Sequence, residues 1–462
     1  MTLRALLLLL LAIVAACGTR TSALPVGHVR VTLDTDAPLP SRVRGPPLDE
    51  HAPIPLFDAL WIEVLRGADG GRCADCLRET DADVETFTAG ASFTVVGAPG
   101  EVVRLHVLLY KRSTALAGDL PPGLEAWVSL PPIPVEGAVD ARVLLPTETF
   151  ARPVGTKDAP RAVDPSGGPS VGTWAGARRT PCSAPAPSGM ACVPGGAYLS
   201  GDPTLIARAE TDADQPHLIV LSPFYVDVHE VEVAAFRELA AATAVLPWTG
   251  SETGTDSKDW CTYTSTPSPR DALPIVCLSQ KSARAHCVAR GGDLPTEAQF
   301  EYVAGGMRGR RFPWGDDLPA CEDAIWGHGG FPGGPAEISA YNGNCRPKKG
   351  ADSFGLPYAV TRLDGRARDR VLLGGVEVLD LAGNVSEWTR DAFQPQSGPC
   401  FHPATTAVLH DPTCTFVPGM PGGFGVRGGS IIHAPREIAA AVRQRQVEGA
   451  YLHVGFRCVR PG

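Results

Sequence analysis

Cys73 and Cys76, in GRCADC, are spaced as a CxxC pair that could do chemistry. A thioredoxin-like redox centre needs such a pair at a helix N-terminus within a βαβ unit, where the thiol pKa falls. Here the pair sits among polar residues between apparent strands. A zinc half-site would need further ligands, and the chain has no second CxxC. The spacing therefore predicts a structural disulfide at a loop tip. The eleven histidines are scattered rather than grouped, and with a net charge of −9 there is no basic cluster. That balance argues against nucleic acid as a partner.

The elements that position such residues fall into three stretches. A length of 462 residues suggests two or three domains, and 51 glycines with 44 prolines favour a turn-rich protein over a helical bundle. Residues 28–150 hold short alternating runs (VRVTLDTD, LWIEVLRG, SFTVVGA, VVRLHVLLYK, ARVLLPTE) parted by Gly, Pro and Asp turns. They predict an antiparallel β-sandwich. Residues 151–190 are dominated by Pro, Gly, Ser and Ala with no periodic apolar face, which predicts an extended, mobile linker. Residues 191–462 are mixed. From Ser279 to Gly306 they spell two helices around a glycine turn: Ser279 as N-cap, Ala283, His286, Cys287 and Arg290 at helical spacing, and Gly291 and Gly292 as the stop. Thr296 and Gln299 then form a capping box, with Phe300 and Val303 inward. In SPFYVDVHEVEVAAFREL, a strand precedes a helix with Val233, Phe236, Leu239 and Ala240 on one face.

LPTEAQFEYVAGG, within that helix pair, resembles a signature of the formylglycine-generating enzyme (sulfatase-modifying factor) family. VPGGAYLSGD, SPFYVDVHEVEVAAF, FPWGDD, LDLAGNVSEWTRD, VRGGS and HVGFRCVR resemble further family blocks, in the same order. The resemblance implies an α+β, irregular C-type-lectin-like fold for 191–462. It also implies a structural calcium in DLAGNVSEW, held by the side chains of Asp380 and Glu387 and the carbonyls of Gly383 and Val385. Oxygen donors on a tight glycine turn suit that ion. A second family calcium site would involve Asn342 or Asn344, with Asp352 and Phe354 in a divergent loop. The family's substrate cleft would fall near Trp388, Arg427, Ser430 and His433. Active members follow RGGS with a C-x4-C pair that binds copper(I), because soft thiolates suit it. In this chain His433 and Ile438 occupy those places, so copper is not expected and no residue is assigned a catalytic role.

Residues 1–17 read as targeting: Arg4, an apolar run from Ala5 to Val14, and VAAC, which resembles a bacterial lipobox. Cys17 would be the acylated residue, and Gly18 after it resembles lipoproteins sent to the outer membrane. Of thirteen cysteines, twelve then remain for an oxidising compartment. The resemblance implies a Cys287–Cys458 bond. Local pairs are expected at Cys182–Cys192, Cys261–Cys277, Cys321–Cys345 and Cys400–Cys414, although spacing alone fixes no connectivity.

Three kinds of function fit these residues. A silent family member could present the old cleft as a binding surface for a protein or small molecule at the envelope. A divergent oxidase could place a different metal around His433. A purely structural lipoprotein could scaffold an envelope complex. The missing thiolates favour the first and third.

Overall fold

The computed structural model describes residues 27–43, 52–67, 71–116, 119–164, 167–205, 211–212, 216–243, 261–327, 345, 359, 367–395, 398–402, 407–420 and 422–462. Cys17, Asn342, Asn344, Asp352 and Phe354 lie outside the described residues.

The N-terminal strands are β1 (His28–Thr35), β2 (Ala59–Arg66), β3 (Gly71–Asp81), β4 (Ser92–Val96), β5 (Arg104–Tyr110), β6 (Gly123–Ser129), β7 (Ala138–Leu145) and β8 (Arg161–Ala162), with a short helix α1 (Val84–Thr88). They form two sheets, ordered β4-β1-β7 and β3-β2-β5-β6-β8. Val29, Val31 and Leu33 from the first sheet and Leu60, Val107, Leu109 and Val128 from the second share one hydrophobic cluster. The expected antiparallel pairing needs correction at β1, which runs antiparallel to β4 but parallel to β7. β6 belongs to the other sheet, so the chain reaches β7 by crossing between sheets, and no hairpin forces an antiparallel neighbour.

The CxxC stretch also differs from its expectation. Cys73 and Cys76 lie within β3, an edge strand, rather than in a loop. Pairing runs from Leu65↔Arg72 directly to Glu63↔Leu77, so the stretch between them bulges out of register. An edge strand with one face in water can be polar along most of its length, which is why periodicity missed it. Cys76 is disulfide-bonded.

The 151–190 stretch is extended, as its composition implies, but it is held. β8 pairs in parallel with β6. Trp174 is buried in the N-terminal core, with its Nε1 donating to Glu148 Oε1 at 2.7 Å. The Trp174 and Gly172 amides donate to the carbonyls of Asp36 and Ala37. β8, Trp174 and the Cys182–Cys192 disulfide thus hold a segment whose composition signals a spacer.

The remaining chain holds β9 (Met190–Val193), β10 (Gly196–Ser200), β11 (Thr211–Asp212), β12 (His217–Leu221), β13 (Phe224–Asp227), α2 (Val233–Thr243), α3 (Gln280–Ala289) and α4 (Glu297–Ala304). There follow β14 (Arg370–Leu373), β15 (Val376–Leu379), β16 (Ser386–Ala392), β17 (Val408–His410), β18 (Phe424–Arg427), β19 (Arg443–Gln446), β20 (Val454–Gly455) and β21 (Val459–Pro461). The sheet β11-β19-β18-β16-β20 carries the site described below, and in β21-β13-β9 the last strand of the chain pairs with β13. The sheet β10-β12-β17 is apolar on both faces. Ala197, Leu199, Leu218 and Val408 enter the N-terminal core, while the alternate residues Tyr198, Ile219, Leu221 and Leu409 enter the next one. Period-2 alternation with both faces covered makes this sheet a wall shared by the two halves.

The helix pair forms as its residues predict. Ser279 caps α3 by accepting from Ser282 N, and Gly291 ends it at φ 78°. Thr296 and Gln299 complete the capping box of α4, burying Phe300 and Val303. Besides the bond at Cys76, five disulfides join described residues: Cys182–Cys192, Cys261–Cys277, Cys287–Cys458, Cys321–Cys345 and Cys400–Cys414. Cys287–Cys458 spans 171 residues and ties α3 to the segment entering β21.

Candidate functional site

β18 delivers Arg427 into the turn Gly428–Gly429–Ser430. Both glycines have positive φ, 83° and 66°, and both lack room for a side chain. A Cβ on Gly428 would meet the Phe300 ring at 2.9 Å, and one on Gly429 would meet Ile438 Cγ2 at 2.7 Å. Arg427 is fully interior. Its Nη2 donates to Glu301 Oε2 at 2.6 Å and to the Ala440 carbonyl at 2.9 Å. Trp388 is equally interior, with Nε1 donating to the Leu278 carbonyl at 3.0 Å. The expectation that Trp388 and Arg427 line a cleft is therefore corrected. Their large side chains fill the core and tie together elements distant in sequence.

Ser430 is buried too, and its partner is His433. The Ser430 amide donates to His433 Nδ1 at 2.9 Å, with the Ser430 hydroxyl 2.8 Å from the same nitrogen. Nδ1 thus accepts from the Ser430 backbone. His433 Nε2 lies 3.0 Å from Gln444 Nε2, and the end-for-end orientation of that amide decides which of the two groups donates. His453 lies edge-on at 5.8 Å, its pKa pulled down by burial and then by His433. The fifth position on from His433 holds Ile438, wholly buried against Phe312 and Trp326. All ten cysteines from Cys182 to Cys458 are in disulfides, so this half of the chain offers no thiolate. One imidazole with Nδ1 engaged can accept, donate or shuttle a proton. It does not reproduce a two-sulfur copper(I) site.

The DLAGNVSEW loop takes its shape from residues that tolerate left-handed backbone. Asp380, Gly383 and Asn384 have φ of 56°, 122° and 54°. A Cβ on Gly383 would stand 2.3 Å from the Ile325 carbonyl. Asp369 caps the turn by accepting from the Leu381 and Ala382 amides. Asn384 donates from Nδ2 to Glu230 Oε1 at 3.2 Å. Val385 is buried in a small apolar cluster.

The cation facing Glu387 is a guanidinium. Arg457 Nε sits 2.9 and 2.8 Å from the two Glu387 oxygens, and Nη2 sits 2.7 Å from Oε1. The same Nη2 donates to the Asp380 carbonyl at 2.8 Å. Burial alone would lower the Arg457 pKa, but the charge and hydrogen bonds of Glu387 outweigh it and push it up. Both Glu387 oxygens take part in a buried, bidentate ion pair, so this carboxylate has a charge partner in Arg457 without calcium. Sequence reading missed Arg457. The available signal was that a glutamate between Ser386 and Trp388, in a strand buried on both faces, needs a buried counter-charge.

Residues 178–461 match the profile of the sulfatase-modifying factor enzyme 1-like domain. The formylglycine-generating enzyme of Mycobacterium tuberculosis is 26% identical over 317 residues, covering 58% of this chain and 96% of that protein. Mouse "inactive C-alpha-formylglycine-generating enzyme 2" is 32% identical over 128 residues, covering 27% of this chain and 33% of that protein. Among solved structures, PvdO from Pseudomonas aeruginosa aligns with a TM-score of 0.39 and 18% identity, covering 59% of this chain and 94% of PvdO. With a profile matching more than half its length, the chain belongs to the sulfatase-modifying factor enzyme 1-like (formylglycine-generating enzyme) family.

Proposed function

We propose that this chain is a non-catalytic member of the family, a binding module carried on an envelope lipoprotein. One observation carries the reading. His433 and the buried Ile438 stand where the resemblance places two thiolates, and every cysteine of the matched region is locked in a disulfide. The inactive mouse relative supports it, as a family domain retained without the chemistry. In this reading the N-terminal sheets are a β-sandwich and 191–462 take the C-type-lectin-like fold. The partly exposed edge at Ile432 and His433 is the surface left for a protein or small-molecule ligand. At the DLAGNVSEW loop, Arg457 takes the charge-compensating place of a calcium ion.

The test is metal analysis together with turnover. Purified protein is expected to bind copper(I) weakly and to leave a CxPxR-type peptide unconverted under oxygen and reductant. Formylglycine in that peptide above a metal-free control would sink the reading and favour an oxidase centred on His433. The anchor is tested separately. Cys17→Ser is expected to lose acylation and leave the membrane fraction, and its retention there at wild-type level would remove the lipoprotein part.

A further inference from the structure

A cavity of about 130 Å³ opens between the turn that follows α4, the β14–β15 hairpin and the segment entering β9. Pro181, Pro194, Met307, Leu372 and Leu373 make its wall apolar, and Arg179 is its one charged lining residue among the described residues. Strand alternation opens the lip: Val371, Leu373 and Val378 enter the core, which turns Leu372 outward, 67% exposed. Met307 is held at φ 59°, its amide donating to the Tyr302 carbonyl at 2.6 Å. A side chain of that size seldom adopts left-handed backbone. Apolar surface thus stands open to water beside a guanidinium.

The charges around Arg179 point to an anion. Among the described residues its side chain bonds only neutral groups: Nη2 donates to Met307 Sδ at 3.1 Å, a weak acceptor, and the Tyr302 hydroxyl is its other partner. Arg308 and Arg310 stand close by, and none of the three arginines forms an ion pair among the described residues. Partial desolvation, and then the charges of Arg310 and Arg179, pull the Arg308 pKa below its usual value. The acids that line the neighbouring cavity with Arg310 are engaged elsewhere. Asp202 pairs with Arg311, Glu301 pairs with Arg427, and Asp316 accepts from the Arg311 amide. Three guanidinium groups are thus gathered without a carboxylate of their own, in a chain whose net charge is −9. Like charges so placed repel, and an anion among them would relieve that cost.

We propose that this cavity binds an amphipathic anion, a carboxylate or phosphate head on a short apolar chain, with the chain against Met307, Leu372 and Leu373 and the head held by Arg179 and Arg308. The anion can come from a free fatty acid or from a phospholipid. The cavity shares no residue with the RGGS turn, so the inference rests on no part of the copper or thiolate reading and is measured without either.

The experiment is calorimetric titration of the full chain with hexanoate, hexanol, acetate, and dihexanoylphosphatidylglycerol kept below its micelle concentration. Hexanoate is expected to bind. Hexanol keeps the chain without the charge and acetate keeps the charge without the chain, so each should bind about tenfold more weakly or worse. Arg308→Gln, at an exposed position, should weaken hexanoate while leaving hexanol binding and the melting temperature unchanged. Leu372→Ser, at the open lip, should weaken hexanoate and hexanol together. Tighter binding of the phospholipid than of hexanoate assigns the site to lipid head groups, and equal or weaker binding assigns it to free acids. Failure of both anions to bind, equal binding of hexanol or of acetate, or full affinity in Arg179→Gln/Arg308→Gln overturns the proposal.

Discussion

Glu387 and Arg457 are 70 residues apart, and both are sealed from solvent. Each charge is tolerable inside the protein because the other is there. Removing one partner leaves the second buried without compensation, a loss of roughly 3–5 kcal/mol, whereas replacing both with apolar groups is often close to neutral. Glu387→Gln and Arg457→Met are each expected to lower the melting temperature sharply, and Glu387→Met/Arg457→Met to recover most of that loss. The same melts decide the cation. With the guanidinium in place the DLAGNVSEW loop offers calcium no gain, so any calcium-dependent shift of the wild-type transition should persist unchanged in Glu387→Gln. A calcium-dependent rise that disappears in Glu387→Gln would restore the metal reading and displace the ion pair from its role.

At the scale of elements, the helix pair shows what local chemistry can specify. Thr296 Oγ1 accepts from Gln299 N at 3.0 Å and Gln299 Oε1 accepts from Thr296 N at 2.9 Å. Both partners lie within four residues, so the capping box is written where it acts. Thr296→Ala is expected to cost about 1 kcal/mol, read as a shift in the denaturant midpoint at unchanged slope. A loss within experimental error would mean that packing of Phe300 and Val303 alone sets the helix start. Legibility fades as partners separate in sequence. The local disulfides match the pairs expected from neighbouring cysteines, but the β1–β7 parallel pairing and the edge strand β3 were not legible. Their determinants are a crossing between sheets and a half-solvated face, and neither leaves a period in the sequence. At the site, Ser430 and His433 are adjacent enough to be read together. The burial of Trp388 and Arg427 depends on Leu278, Glu301 and Ala440, which no spacing rule brings to them.

The whole molecule is joined through the sheet β10-β12-β17. Leu199 and Leu218 belong to the family-matched half by sequence, yet their side chains complete the N-terminal core. Lys111, from the other half, donates to the Gly309 carbonyl at 2.9 Å across the same boundary. A domain border drawn at the Pro/Gly-rich stretch therefore cuts through a hydrophobic cluster, and each half alone would expose apolar wall to water. Calorimetry of the full chain is expected to show one transition, because neither core is complete without the shared sheet. Leu218→Ala should cost about 2–5 kcal/mol through the cavity it leaves, and it should move that single transition as a unit. Residues 178–462 expressed alone should aggregate or melt far below the full chain, with Ala197, Leu199, Leu218 and Val408 uncovered. Two resolved transitions, with Leu218→Ala shifting one and leaving the other in place, would show that the halves fold separately and that the wall between them is only a contact.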